Sequence, residues 1–293
     1  MKIKRTVFFS IFIAWASINL SAQKHLFDHY EVGLTGSVGL SALHFTIADG
    51  SKPSYGAGFA YGCDVAVILS DHWSLGTGLN MASYHASISS KIQETRNLIA
   101  TPAGLPADTR FYMDTEYRGY EERHDALFIR FPLMAQYRIP AGAQRYFYVS
   151  AGVQTGIRVN ATCRIRTNEI VTKGFSEFTK QYYEGLPVHG FDSFSEIKSK
   201  SRSDDFGIVL SGALETGVIW MLKNEMSLYT GLFLDYGLND IRKSASEKAP
   251  IEYHETEMHT FNSILQSQND GRPMTGKVLP LAVGLRLRWS IRF

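Results

Sequence analysis

From residue 279 to the end of the chain, every odd position is apolar: Leu279, Leu281, Val283, Leu285, Leu287, Trp289, Ile291 and Phe293. After Val278 and Pro280 at its start, the even set is small or cationic: Ala282, Gly284, Arg286, Arg288, Ser290 and Arg292. A period of two puts alternate side chains on opposite faces of a strand, so this strand divides two different solvents. Seven earlier stretches carry the same period. Around 31–41, Val32, Leu34, Val38 and Leu40 oppose Glu31, Thr35, Ser37 and Ser41. Over 55–69, Phe59, Tyr61, Val65, Val67 and Leu69 oppose Gly56, Gly58, Gly62 and Asp64, and over 73–84 Trp73, Leu75, Leu79 and Met81 oppose Ser74, Gly76, Gly78, Asn80 and Tyr84. The stretches 127–139, 147–159, 206–222 and 228–239 repeat the pattern, with Arg130, Arg138, Arg158, Glu215 and Asp235 on their polar faces.

The connections alternate in length. Tight turns fall near Asp71, Ala141 and Asn224, while roughly 45–55, 89–123, 162–203 and 241–275 separate the other strands. Structureless connections that long count against a compact soluble domain but suit an outer-membrane barrel, whose periplasmic turns are short and external loops long. Each strand exceeds the roughly 9–11 residues needed to cross hydrocarbon at a tilt. The pattern predicts an all-β, eight-stranded antiparallel up-and-down transmembrane β-barrel with long external loops and both termini at the short-turn side. Pro132 and Pro280 fall inside predicted strands and each removes a ladder donor, which a local bulge would absorb.

Three features set the apolar face toward lipid. Glycines recur on the polar face, as a narrow interior requires. Charges of both signs share that face (Glu31, Asp64, Glu215 and Asp235 with Arg130, Arg138, Arg158, Arg286 and Arg288), and arginine, suited to buried bidentate pairing, dominates the cations. Trp73, Tyr137, Trp220 and Trp289 lie on the apolar face near the tight turns, where an aromatic girdle belongs. In placement the chain is porin-like, but an eight-stranded interior is just wide enough for side chains to fill. The charged set therefore reads as an interior network that plugs the lumen.

Composition adds a little. Aromatic residues at 13%, with Tyr 15 and Phe 18, suit strands and membrane interfaces. A net charge of +2 gives no ground for a nucleic-acid partner. The two cysteines, Cys63 and Cys163, form no disulfide framework or metal spacing. The opening residues change more: Lys2, Lys4 and Arg5 precede a short apolar core at 7–16 and small residues through Ala22. That is the layout of a secretory signal peptide. The expected division is a signal peptide at 1–23 and a barrel domain at 24–293.

The stretches 73–79 (WSLGTGL), 148–153 (YVSAGV), 206–210 (FGIVL), 236–241 (YGLNDI) and the ending 285–293 resemble the eight-stranded outer-membrane β-barrel family common in Bacteroidota, which includes PorT-like proteins. The resemblance spans nearly all of the mature chain through degenerate strand patterns. It implies location in the outer membrane of a Gram-negative bacterium and gives the terminal Phe293 a part in the signal read by the barrel-insertion machinery. It transfers no active site.

Candidate chemistry is sparse. His44, His85 and His124 fall near outer strand ends with Ser41, Ser83 and Asp125 close in sequence, but without a motif. Glu252, His254, Glu255, Glu257 and His259 are rich in metal donors, yet the histidines are five apart rather than four, and a solvated loop is expected. Phe175, Phe178, Tyr182, Tyr183, Phe191 and Phe194 suit either a recognition surface or a hairpin that extends the strands above the membrane. Cys63 reads as a small hydrophobe, and Cys163 as no better placed for chemistry. No catalytic residue, metal or cofactor is assigned.

The expected function is a non-enzymatic outer-membrane barrel with a structural, binding or secretion-assembly (PorT-like) role through its external loops or rim. Its expected partners are outer-membrane lipid, the insertion machinery and a protein at the loops. A rim-sited lipid-modifying enzyme and a soluble periplasmic ligand-binding barrel are the alternatives.

Overall fold

The computed structural model describes residues 30–47, 53–99, 110–186, 191–198, 202–203, 205–243, 251–254, 258–269 and 272–293. The expected leader at 1–23 lies outside them. Eight long strands form the wall: β1 (Tyr30–His44), β2 (Ser54–Ile68), β3 (Trp73–Ile99), β4 (Arg110–Pro140), β5 (Arg145–Ser176), β6 (Val209–Met221), β7 (Met226–Gly237) and β8 (Leu279–Arg292). Each pairs antiparallel with the next, and β8 pairs with β1 from Glu31↔Arg292 to His44↔Leu279, closing the ring. Closure leaves no free sheet edge around the wall, which an unhydrated medium demands.

The alternation decides which face each residue takes. Leu34, Val38, Phe59, Leu133, Leu214, Leu232 and Leu285 are all more than half exposed on the outer surface. A continuous apolar band of that extent does not persist against water. A soluble barrel with an apolar lining, one of the alternatives above, is therefore not what this chain forms. The inner face carries Ser37, Asn80, Arg130, Gln154, Glu215 and Asp235, each buried.

Neither proline needs a bulge. The β3–β4 register is the same on both sides of Pro132, whose carbonyl accepts a hydrogen bond from Thr77 Oγ1 at 2.8 Å. Pro280 stands near the start of β8, where its ring fills the space a side chain on Gly237 would need.

The clearest departure from expectation lies beyond the wall. The segments 89–123 and 162–203 were expected as loops, yet β3, β4 and β5 run on as a paired sheet, with Ser89↔Glu121 leading to Ile99↔Arg110 and Leu127↔Asn160 leading to Phe111↔Ser176. That extension rises roughly 50 Å at a strand rise of about 3.3 Å per residue. The short segment Ser193–Lys198 pairs along it at Arg166–Val171.

Two bulges reset the alternation inside the extension. At the β4–β5 pairing the register shifts between Leu127 and Phe128, opposite Asn160 and Arg158, so Val159 and Asn160 both point outward. Above that point the inward set on β5 is odd: Ala161, Cys163, Ile165 and Thr167. A second break lies around Gly119, whose φ of 63° favours glycine, and it turns both Tyr117 and Tyr120 inward although they are three apart.

The inward faces of the extension build a second core. Ile88, Tyr117, Tyr120, Phe128, Cys163, Ile165 and Ile170 pack with Leu43, Phe45 and Ile47 at the end of β1 and with Ile264, Leu265, Met274 and Val278 of the connection into β8. This cap continues into the barrel through Tyr84, Phe233 and Ala282, so one apolar cluster seals the end opposite the tight turns.

Candidate functional site

The interior charges form a connected belt. Arg130, on the inner face of β4, donates from Nη1 to Asp235 Oδ2 at 2.7 Å and to Tyr84 Oη at 3.1 Å. Gln154 Nε2 donates to the other oxygen, Asp235 Oδ1, at 2.6 Å. Arg286 Nη1 donates to Glu215 Oε2 at 3.0 Å, and its Nη2 lies 3.6 Å from Asp235 Oδ2. Tyr148 Oη completes Glu215 at 2.6 Å. Nearer the tight turns, Arg288 lies 3.8 Å above the Tyr229 ring and donates to Gln136 Oε1 at 2.9 Å. Glu31 accepts from Tyr229 Oη at 2.9 Å and from Ser290 Oγ. Asp64 borders a polar cavity of about 40 Å³ with Asn80, Arg286 and Arg288. Such a space holds a few waters, not a passage.

Two of the predicted interior arginines stand at the two ends of the lumen. Arg138 is on the inner face but is spent on the first tight turn, donating to the Asp71 and Ser70 carbonyls at 3.0 and 3.4 Å. Arg158 shares the even, inward parity of Gln154 but stands at the capped rim beside the Val159 bulge, where it pairs with Asp205 at 3.0 Å.

The four predicted girdle aromatics stand on the outer face near the tight turns. Trp73 and Tyr137 are cross-strand partners with ring centroids 4.9 Å apart. Trp220 and Trp289 both pair in register with Leu228, and Trp220 Nε1 donates to Thr230 Oγ1 at 3.0 Å. Phe293 is 70% exposed, with its backbone N–H bonded to the Tyr30 carbonyl at 2.8 Å.

The predicted histidines separate. His44 Nδ1 is 3.5 Å from Tyr55 Oη. His85 Nδ1 meets Asp125 Oδ1 at 2.7 Å on the outward face just above the apolar band. Among the described residues no serine or cysteine is bonded to His85. His124 faces inward, fully buried in the cap beside Glu122, which was passed over, and Cys163, which was expected to be poorly placed for chemistry: its Nε2 lies 2.9 Å from Glu122 Oε1, which also accepts from Cys163 Sγ at 3.1 Å. Glu122 Oε2 takes Tyr120 Oη at 2.5 Å and the Ile264 N–H at 3.1 Å. These groups stand above the membrane-crossing part of β4. Burial alone would push the Glu122 carboxyl up, but His124 and hydrogen bonds from Ser263 and Tyr120 hold it below the usual carboxylate range. Burial beside Glu122 pushes the Tyr120 phenol well above its ordinary value, so it stays protonated and donates.

The spacing of Glu122 and His124, two apart, was a legible signal for a shared strand face. Cys163 was not legible, because the Val159 bulge sets its side. For the 252–259 run, the backbone pairs Tyr253 with His259 and His254 with Met258. Glu255 and Glu257 lie outside the described residues. The loop aromatics divide: Phe191 is buried and Phe194 packs on the cap, while Phe178 and Tyr182 are exposed at the far tip.

A family model described as "Outer membrane protein beta-barrel domain" matches residues 21–243, more than half of the chain. The match stops short of β8, although the ring closes only through it. No curated protein matches. Among solved structures, Neisserial surface protein A is 11% identical with a TM-score of 0.32, covering 91% of this chain and 97% of its own. OprG from Pseudomonas aeruginosa is 11% identical with a TM-score of 0.33 and the same coverage. Ail, the attachment invasion locus protein of Yersinia pestis, is 12% identical with a TM-score of 0.27, covering 88% of this chain and 98% of its own.

Proposed function

We propose, from the premise that this chain belongs to the outer membrane protein β-barrel domain family and resides in the outer membrane of a Gram-negative bacterium, that it is a closed, non-enzymatic barrel whose work is done on its capped, outward end. The observation that carries this reading is the double closure. The lumen is filled by the Arg130–Asp235 and Arg286–Glu215 belt, and the outward mouth is sealed by the core around Phe128, Tyr120 and Ile264. A barrel closed twice is a mount rather than a conduit, and what it presents is the raised β3–β5 sheet. Phe178 at 64% and Tyr182 at 59% exposure are the aromatic anchors at its tip. Docking of a protein partner, including a secretion-assembly role of the PorT-like kind, follows from such a platform, and terminal Phe293 serves as the handle for insertion.

Liposome swelling with the purified, refolded protein tests the closure. Small sugars stay excluded, at the rate of protein-free vesicles; swelling at the rate of a general porin would overturn the reading.

One observation favours a second reading. The His85–Asp125 pair at 2.7 Å sits on the outward face at the height of lipid headgroups, as a lipid-modifying enzyme would place a general base and its orienting carboxylate. It lacks a bonded nucleophile among the described residues. Comparing lipid A mass profiles between wild-type cells and cells carrying His85→Ala decides it: a changed profile supports the enzyme, and an identical one removes it.

A further inference from the structure

We infer that Glu122, His124 and Cys163 form a site for a single divalent ion of the zinc class, which fastens the outward cap. The inference is independent of the role proposed above and rests on how the fold gathers three donors. Glu122 and His124 alternate on β4 and so share its inward face, and Cys163 on β5 is the register partner of His124. Two donors on one strand and a third directly across converge on one point, with all three donor atoms within 4.8 Å of one another. Metal–ligand bonds of about 2.0–2.3 Å imply donor separations of roughly 3.3–3.6 Å around a tetrahedral ion. The present contacts of 2.9 and 3.1 Å need open by only a few tenths of an ångström.

Three further observations point the same way. First, carboxylate, imidazole and thiol together are the mixed O, N and S set that zinc accepts, whereas calcium and magnesium take oxygen alone. Second, Glu122 is divided between two tasks. Its Oε2 is held by Tyr120 and by the Ile264 backbone, which leaves Oε1 aimed at the other donors. Outer hydrogen bonds of this kind orient a metal-ligating carboxylate. Third, the charges close. A thiolate and a carboxylate neutralise a divalent cation beside a neutral imidazole, so a buried ion adds no net charge to an apolar core. On binding, the Cys163 thiol loses its proton to solvent, and Glu122 Oε1 and His124 Nε2 turn from each other to the ion; nothing is oxidised or reduced. Three protein donors leave the fourth position for a small ligand such as water.

The ion would tie β4, β5 and the connection into β8 at one point, because Glu122 already holds Ile264. The test uses the whole protein, washed with chelator, kept reduced and refolded into detergent with one equivalent of Co²⁺ as a spectroscopic probe. One cobalt binds per chain, with a thiolate-to-cobalt band in the near ultraviolet that Zn²⁺ displaces. Cys163→Ser abolishes the band, Cys63→Ala leaves it intact, and His124→Asn weakens Zn²⁺ binding by at least roughly a hundredfold, the upper end of the loss caused by removing an outer-shell partner. Heat-modifiable gel migration reports folding separately in every sample. A folded wild-type protein without the band, or a band that survives Cys163→Ser, overturns the inference.

Discussion

Asp235 accepts from Arg130 and Gln154 and has Arg286 3.6 Å away, which makes it the most heavily shared carboxylate of the belt. Removing it leaves Arg130, 2% exposed, without its counter-charge. Breaking one partner of a buried pair costs about 3–5 kcal/mol, whereas replacing both with apolar residues is often neutral. Asp235→Ala is thus expected to lower the unfolding free energy of the heat-modifiable folded form, extrapolated from urea titration, by that amount. Arg130→Met with Asp235→Leu is expected to recover most of it. At this scale the sequence was legible where a residue lies in plain alternation: Asp64, Glu215, Arg286 and Arg288 all face inward as their parity requires. Cys163 was not legible, because one added residue at Val159 decides its side, and nothing in local composition marks it.

Among the elements, the β1–β8 seam is the last pairing needed to close the ring, and it carries a close backbone approach that the Gly217–Gly231 pair of β6 and β7 repeats. Gly39 and Gly284 are cross-strand partners, and a Cβ on either would overlap a carbonyl of the opposite strand, Val283 O or Val38 O. Backbone cannot yield as a flexible side chain can, so the close approach requires glycine on both strands. Gly284→Ala is expected to slow the appearance of the heat-modifiable band during refolding and to lower its yield, while Gly36→Ala, with open space around its Cβ, is expected to leave both unchanged. The cap has its own keystone in Phe128, fully buried where the extension meets the wall. Phe128→Ala is expected to cost about 3–5 kcal/mol and to expose the Ser263–Ser267 segment to added protease while the membrane-crossing part stays intact. The lower halves of the strands were legible because lipid and lumen are opposite solvents, and their alternation cannot be mistaken. The upper halves of β3–β5 were read as loops because both their faces meet mixed surroundings and two bulges interrupt the period.

For the molecule as a whole, the belt and the cap are closures in series. Opening one leaves the other. Single-channel recording is expected to stay silent for the triple variant Arg130→Ala, Arg286→Ala, Arg288→Ala. Conductance is expected only when Phe128→Ala and Ile264→Ala loosen the cap as well. A conducting triple variant would show that the apolar cluster around Tyr84 and Phe233 does not seal the outward mouth. Eight strands and their order followed from hydrophobic period and connection length, and their outward face from the glycines, paired charges and girdle aromatics added to that pattern. The second core did not, because it is assembled from the ends of β1, the tops of three strands and a connection more than a hundred residues away from β4 in sequence, a juxtaposition no local pattern encodes.

The bulge at Val159 also fixes what kinds of change β5 can absorb. Below it, the strand's odd residues meet lipid; from Ala161 to Thr167, the odd residues meet protein. A one-residue slip sends every side chain beyond it to the other face. Lengthening or shortening the strand between the membrane and the cap is therefore tolerated in steps of two. A single added or deleted residue would erase the adapter or double it, turning Cys163 and Ile165 to water and Arg164 and Arg166 into the core. The raised sheet can change height at this point of β5, but not its parity.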